Sequence, residues 1–155
     1  MKRSALLLPA VALALSLTAA GCGGSDSDAS DGGDAPASIS KADFTEQANT
    51  ICSDASAELE TAGAELTDQS TQEEVVAFVT DTAVPSFQAQ HDDIEALGAP
   101  DGEEDDVQAL LDALQDGIDA ITADPDAFVT GDVTPFDDAN AAANDLGLTD
   151  CGSES

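Results

Sequence analysis

The side chains best suited to catalysis or metal binding are those of one histidine and three cysteines. His91 stands beside Asp92 and Asp93, and a single imidazole is too little for an ordinary zinc site, which needs several His or Cys ligands. No GxSxG or Ser-Lys pattern surrounds a nucleophile, and no glycine-rich phosphate loop precedes a lysine. The sequence therefore predicts no catalytic residue, no metal ligand and no cofactor site, and we expect a protein that is not an enzyme.

Acidic side chains dominate the charge, since 33 Asp and Glu against 3 Lys and Arg give a net charge of −30 at pH 7. Nucleic-acid binding is excluded as a function, because it depends on Lys and Arg displacing counterions from phosphates. Carboxylates this numerous form neighbouring pairs by chance, so such pairs indicate no site. Two interpretations of the acidity are a surface that collects divalent cations or cationic ligands, and an adaptation to high salinity.

Residues 1–21 have the pattern of an export signal. Lys2 and Arg3 precede an apolar run over 5–17, which is shorter than the roughly 20 residues of a membrane-spanning helix. Small residues at 19–21 then lead to Cys22. This end of the chain resembles bacterial lipoproteins, although Ala19 stands where that family more often has Leu.

The resemblance implies that residues 1–21 are removed and that Cys22 is diacylated, with fatty acids such as palmitate, as the new N-terminus. Two acyl chains anchor a protein firmly, so we expect it at the extracytoplasmic face of the cell membrane, held there by its lipid. The alternative is an ordinary secreted chain in which Cys22 keeps its thiol. Residues 22–37 are mostly Gly, Ser, Asp and Ala and predict a disordered acidic tether.

From residue 38 onward, apolar residues recur at helical spacing. Ser40 can cap a first helix over 41–66, and Thr71 with Glu74 predicts a capping box for a second helix that ends before Gly98. Pro85 interrupts the second segment and predicts a kink within one helix rather than two helices. The predicted stripe of the first helix consists of Phe44, Ala48, Ile51, Ala55, Leu59, Ala62 and Leu66.

Two further helices follow. The third is expected to open at Asp101 and to end at 124–126, and the fourth to be capped by Thr134 and to end at Gly147. Residues 127–129 either plug an end of the bundle or form a helical turn. The predicted core residues of the third helix are Val107, Leu110, Leu111, Leu114, Ile118 and Ile121.

Four amphipathic helices with short polar links predict an all-α domain over 38–155, an up-down four-helix bundle with a Pro-kinked second helix. Alanine is abundant and large apolar residues are few, so the core is expected to be thin. A disulfide between Cys52 and Cys151 would strengthen it, because an exported chain meets an oxidising environment. A redox-active or metal-binding thiol pair is the alternative, and Cys22 would compete for pairing if it were not acylated.

Further features resemble small actinobacterial-type lipoproteins of unknown function. These are Phe44 eight residues before Cys52, the Pro85 helix, the break at 97–100 and the ending at 146–152. The resemblance implies a helical domain, a paired-cysteine clamp and a cell-envelope location, and brings no ligand residues. We expect a non-enzymatic interaction or structural module that meets an envelope protein or a small apolar ligand. The alternative is a low-affinity binder of divalent cations or cationic ligands.

Overall fold

A computed structural model describes residues 38–152, and helices account for 73% of them. No β-strand occurs in this range, so the all-α prediction is confirmed for the described residues. The predicted export signal at 1–21, the predicted lipid anchor Cys22 and the predicted tether at 22–37 lie outside the described residues.

Five helices follow one another along the described chain, where four were expected. The second is continuous over residues 72–97 and changes from α-helical Gln72–Phe78 through π-helical Val79–Ala83 to α-helical Val84–Leu97. Within residues 38–152, every helix is too short or too polar to cross a membrane. The helices are α1 Lys41–Gly63, α2 72–97, α3 Glu104–Ala123, α4 Pro125–Thr130 and α5 Asp137–Asp145.

Helix α1 begins where the sequence predicted and ends earlier. The Ser40 hydroxyl accepts a hydrogen bond from the backbone N–H of Asp43, which confirms the predicted cap. The helix stops at Gly63 instead of residue 66, because the chain turns there and the N–H of Leu66 bonds back to the Gly63 carbonyl. Of the predicted stripe, Phe44 and Ala48 are buried, whereas Ile51, Ala55 and Leu59 are only partly buried.

Helix α2 contains the predicted capping box and passes Pro85 without a break. Thr71 and Glu74 exchange both hydrogen bonds of the box. In the π turn, the N–H of Val84 bonds to the carbonyl of Val79, five residues back. Pro85 has no N–H to donate, and its ring crowds the preceding turn of an α-helix. The π geometry at this point lets one helix continue past Pro85, as predicted, although the π turn itself was not predicted.

Helix α3 starts later than predicted and buries all six predicted core residues. Asp101 is not its cap, because Gly102 adopts a left-handed φ of 85° in a turn and Glu103 precedes the first helical residue. The Glu104 carboxylate accepts a hydrogen bond from the Gly102 N–H at 2.8 Å. The buried residues of α3 are Val107, Leu110, Leu111, Leu114, Gly117, Ile118 and Ile121.

The end of the chain forms one more helix than expected. Asp124 caps α4 by accepting from the N–H of Ala127, so residues 127–129 are helical. Thr134 does not cap the last helix; its hydroxyl donates to the Asp137 carboxylate at 2.6 Å, and α5 begins at Asp137.

The end of α5 matches the prediction. Gly147 has a left-handed φ of 80°, and the N–H of Leu148 bonds to the carbonyl of Ala143 at 2.8 Å. The N–H of Gly147 bonds to the carbonyl of Asn144 at 3.0 Å. These two bonds make a Schellman motif, which turns Leu148 back into the core, where its side chain is fully buried.

The core of the described residues consists of two clusters. The larger one gathers Phe44 and Cys52 of α1, Ile94 of α2 and Leu148 after α5 around α3. The smaller one comprises Leu114, Ile118 and Ala139, with Phe87 and Phe136 packed against it. A cavity is lined by residues from both clusters.

Candidate ligand cavity

A cavity of about 280 Å³ opens between α1, α2, α3, α5 and the residues that follow α5. Its inner lining is aliphatic and buried, because the inward faces of four helices meet there. The buried aliphatic lining residues are Ile94, Leu110, Leu114, Ala139 and Ala143.

Three phenylalanines from three elements complete the apolar wall, and all three are partly exposed. They are Phe87 of α2, Phe128 of α4 and Phe136 before α5. The rings of Phe87 and Phe136 meet edge to face, with centroids 4.8 Å apart and planes at 61°. This is a favoured arrangement for aromatic pairs, so the wall is a defined surface.

Gly117 of α3 makes room for Phe136. A Cβ atom at this position would lie 2.5 Å from the Phe136 ring and 2.7 Å from the Pro135 carbonyl oxygen. A glycine inside a helix costs about 1 kcal/mol relative to alanine. The close approach of Phe136 explains why α3 carries a glycine there.

Neutral polar groups lie among the apolar lining. The amide side chains of Gln90 and Asn140 are half-buried, and the hydroxyl of Ser56 is exposed. Within residues 38–152, none of these three side chains hydrogen-bonds another residue. They offer donors and acceptors to a bound molecule, as the few polar groups of small-molecule sites do.

The residues after α5 close one side of the cavity. The N–H of Asp150 donates to the side-chain oxygen of Asn49 on α1 at 2.9 Å, and the side-chain amide of Asn144 donates to the Gly152 carbonyl at 3.3 Å. The sulfurs of Cys52 and Cys151 lie at bonding distance, 1.96 Å apart, with their Cα atoms 5.0 Å apart. The two predicted partners are therefore brought together, and both line the cavity.

Charged residues are few around the cavity. Within residues 38–152, Asp150 is the only lining residue with a formal charge. Lys41 is the only lysine or arginine within residues 38–152, and it pairs with Glu103, whose second carboxylate oxygen is buried without a hydrogen bond. Among the described residues, no lysine, arginine or histidine lines the cavity.

A second group of polar side chains lies on α2, outside the cavity lining. Ligand atoms of His91, Asp92 and Glu95 lie within 4.8 Å of one another. Hydrogen bonds from Gln88, at 3.0 Å, and from His91, at 3.1 Å, lower the pKa of the Asp92 carboxyl. The side chain of His91 is partly buried, with 15% of its surface exposed.

Sequence reasoning missed most of this site. The cysteine pair was found from the residues, but Phe87, Phe128 and Phe136 lie far apart along the chain and carry no shared motif. The one available signal was Gly117, because a glycine inside an amphipathic helix suggests close packing.

Comparisons with protein-family models, with curated proteins and with solved structures found no match for this chain.

Proposed function

We propose that this chain is an extracytoplasmic lipoprotein, anchored through acylated Cys22, whose helical domain binds a small, mainly apolar molecule without transforming it. The observation that carries the binding role is the cavity between α1, α2, α3 and α5. A lipid-anchored domain of this kind would present its ligand site close to the membrane surface.

The size and lining of the cavity support a small ligand. An apolar cavity of about 150 Å³ is enough to take benzene, and this one is nearly twice as large at about 280 Å³. Small-molecule sites combine a mostly apolar wall with a few polar groups that fix orientation. Gln90, Asn140 and Ser56 are suited to that role.

The lining also supports binding rather than catalysis. In the part of the cavity lined by residues 38–152, Ser56 carries the only hydroxyl group, and no histidine or lysine is present to activate it. A hydroxyl nucleophile needs an adjacent base to react at neutral pH. Cys52 and Cys151 are paired and so supply no free thiol.

We further propose that consecutive helices run in alternating directions, as in an up-down bundle, and that α2 changes direction at its π turn before Pro85. Short links between helices favour antiparallel neighbours. In this arrangement α4 is a short insertion between α3 and α5. Phe128 of α4 lines the cavity.

Calorimetric titration with phenylbutanol tests the binding role, since this neutral molecule has an aromatic ring, a short chain and one hydroxyl. We expect saturable binding to the domain with a stoichiometry near one. Asn140→Phe should abolish it by filling the cavity mouth. Ala141→Phe is the matched control, because Ala141 is exposed and does not line the cavity. Equal binding to both variants, or no binding to the unmodified protein, would refute the proposed role.

The lipid anchor is tested separately in a bacterial host that acylates lipoproteins. We expect the full-length chain in the membrane fraction, with a mass increase on Cys22 from its acyl chains. The Cys22→Ala variant is expected in the soluble fraction. Membrane retention of Cys22→Ala would refute anchoring at this residue, whatever the cavity binds.

Weak binding of divalent cations is a second candidate function, favoured by the cluster of His91, Asp92 and Glu95. Zinc or calcium calorimetry tests it. Saturable binding that persists in moderate salt and is lost in His91→Gln would support this function. Diffuse heat that disappears with salt would assign the effect to the general surface charge.

A further inference from the structure

We propose that the redox state of Cys52 and Cys151 controls ligand binding in the cavity. In the oxidised protein, the disulfide holds residues 149–152, the closing segment, across one side of the cavity. Reduction by a dithiol releases the closing segment and weakens binding. This inference rests on the proposed binding role and adds its regulation.

The closing segment bridges α5 and α1. On the α5 side, the Gly152 carbonyl accepts a hydrogen bond from the side chain of Asn144 at 3.3 Å, and a Cβ atom on Gly152 would lie 2.7 Å from that side chain. On the α1 side, Cys151 is bonded to Cys52. Asp150 and Cys151 both line the cavity, so the closing segment forms part of its wall.

The disulfide is the strongest link between the closing segment and α1. A hydrogen bond from the Asp150 N–H to the side chain of Asn49 also joins them, but it is exposed, and water competes for both of its partners. Thr149 and Asp150 are themselves exposed. The closing segment therefore depends on the covalent bond to stay on α1.

The other walls of the cavity are held by apolar packing. Leu148, immediately before the closing segment, is fully buried in the larger cluster. Ala143 of α5 lies in that cluster with Leu110 of α3, and Ala139 lies in the smaller cluster with Leu114. Reduction therefore frees the four residues after Leu148, while α3 and α5 stay together.

The redox step is a thiol–disulfide exchange. Cys52 is only 1% exposed, whereas Cys151 is half-buried, so a thiolate of the dithiol attacks the sulfur of Cys151. The bond between the two protein sulfurs breaks, and the Cys52 thiolate leaves and takes up a proton. The second thiolate of the dithiol then attacks the mixed disulfide, and the Cys151 thiolate leaves and is protonated. The protein gains two electrons and two protons, and the dithiol loses them as it becomes a disulfide.

The oxidised state binds more tightly because its closing segment is already ordered. In the reduced protein, a ligand either binds with one side of the cavity open or orders the closing segment again, and both lower the affinity. By linkage, a bound ligand in turn favours the oxidised state by the same factor.

Calorimetric titration with phenylbutanol at low temperature compares the oxidised protein with the protein in excess dithiothreitol. The full chain carries Cys22→Ala, so that Cys52 and Cys151 are its only cysteines. We expect reduction to weaken binding at least roughly fivefold. The control is the double variant Cys52→Ser/Cys151→Ser, which should bind as the reduced protein does, with or without dithiothreitol. Equal affinities of the oxidised and reduced proteins would overturn the inference.

Hydrogen exchange distinguishes release of the closing segment from unfolding of the domain. On reduction, the amide of Asp150 should exchange at least roughly tenfold faster, while the amides of Leu114 and Ile118 in α3 stay protected. Loss of protection in α3 as well would make the disulfide a support of the whole fold and would refute its specific control of the cavity. An Asp150 amide that exchanges at the same rate in both states would refute the release.

The outcomes separate this inference from the proposed binding role. If phenylbutanol binds the reduced protein at least as tightly as the oxidised one, the binding role stands and the redox control is wrong. If it binds neither form, both are wrong.

Discussion

Gly117 lets the ring of Phe136 lie directly on α3, and that contact shapes one wall of the cavity. A methyl group at this position would overlap the ring and the Pro135 carbonyl, so the ring or the backbone would have to move. The side chain that defines the aromatic wall is therefore positioned by a residue that has no side chain.

Gly117→Ala should destabilise the domain by about 1–3 kcal/mol, the usual cost of overpacking, despite alanine's better helix propensity. It should also weaken phenylbutanol binding, because Phe136 leaves its place. Gly63→Ala is the control, since its Cβ would make only an ordinary 3.6 Å contact with Phe78. Chemical denaturation and calorimetry measure both effects. A stabilised Gly117→Ala with unchanged binding would contradict this account of the wall.

Glu74 shows how a local hydrogen bond makes stability depend on pH. Hydrogen bonds from the backbone and side chain of Thr71 lower the pKa of its carboxyl below the ordinary range. Because the folded pKa is lower than the unfolded one, this contribution to stability is complete above the unfolded pKa. It is lost as the pH falls through the folded value.

Carbon NMR of the Glu74 carboxyl during an acid titration tests this effect. We expect a midpoint below that of an unstructured peptide with the same sequence, and a return toward the peptide value in Thr71→Val. The start of α2 should lose helicity over the same acidic range. An unshifted midpoint in the unmodified protein would show that the capping box does not persist in solution.

At the scale of the elements, the sequence predicted those helix ends that depend on a side chain acting locally. Ser40 and Thr71 cap their helices as expected, because the helix starts at the next residue and the hydroxyl then reaches the N–H three residues later. Thr134 has the same pattern and fails, since the chain turns at Pro135 and Phe136 to place the ring on Gly117. Tertiary packing therefore determines where α5 begins, and the local spacing of residues does not reveal it.

The interior of the helices was predictable to different degrees. All six predicted core residues of α3 are buried, because both of its apolar flanks find partners. In the C-terminal half of α1, Ala55 and Leu59 of the predicted stripe remain partly exposed. The core forms around the N-terminal half of the helix, which contributes Phe44 and Cys52. Periodicity shows which face is apolar, but not how far along a helix its partners extend.

Gly147 links the end of α5 to the residues that close the cavity. Its left-handed conformation costs a residue with a Cβ about 1–2 kcal/mol. Gly147→Ala should therefore lower the free energy of unfolding by about that amount, whereas Gly147→Asn should cost less, because Asn tolerates this region. Thermal melting compares the two variants. Equal melting temperatures for alanine, asparagine and glycine would show that the Schellman motif is not formed.

At the scale of the whole molecule, one covalent link connects α1 to the residues after α5 across 99 positions of sequence. The core it supports is small, and the surface is strongly acidic, so repulsion among carboxylates opposes the compact state. A cross-link that closes so long a loop stabilises by up to about 4 to 5 kcal/mol in the chain-entropy model. We therefore expect the link to supply a large part of the total stability.

Cys52→Ser should lower the melting temperature strongly, and a reducing agent should lower that of the unmodified protein to a similar value. Reducing agent should leave Cys52→Ser unchanged, which serves as the internal control. Mass spectrometry of the exported, oxidised protein should show the mass of one disulfide. Two free thiols at Cys52 and Cys151 in that sample would contradict the proposed role of the link.

The central claim is that the space between α1, α2, α3 and α5 is a ligand site, and intermolecular NOEs test it most directly. With phenylbutanol bound to the oxidised domain, we predict NOEs from its ring protons to the side chains of Phe87, Phe136 and Leu114. NOEs only to surface residues outside the cavity, or none at saturating concentrations, would contradict it.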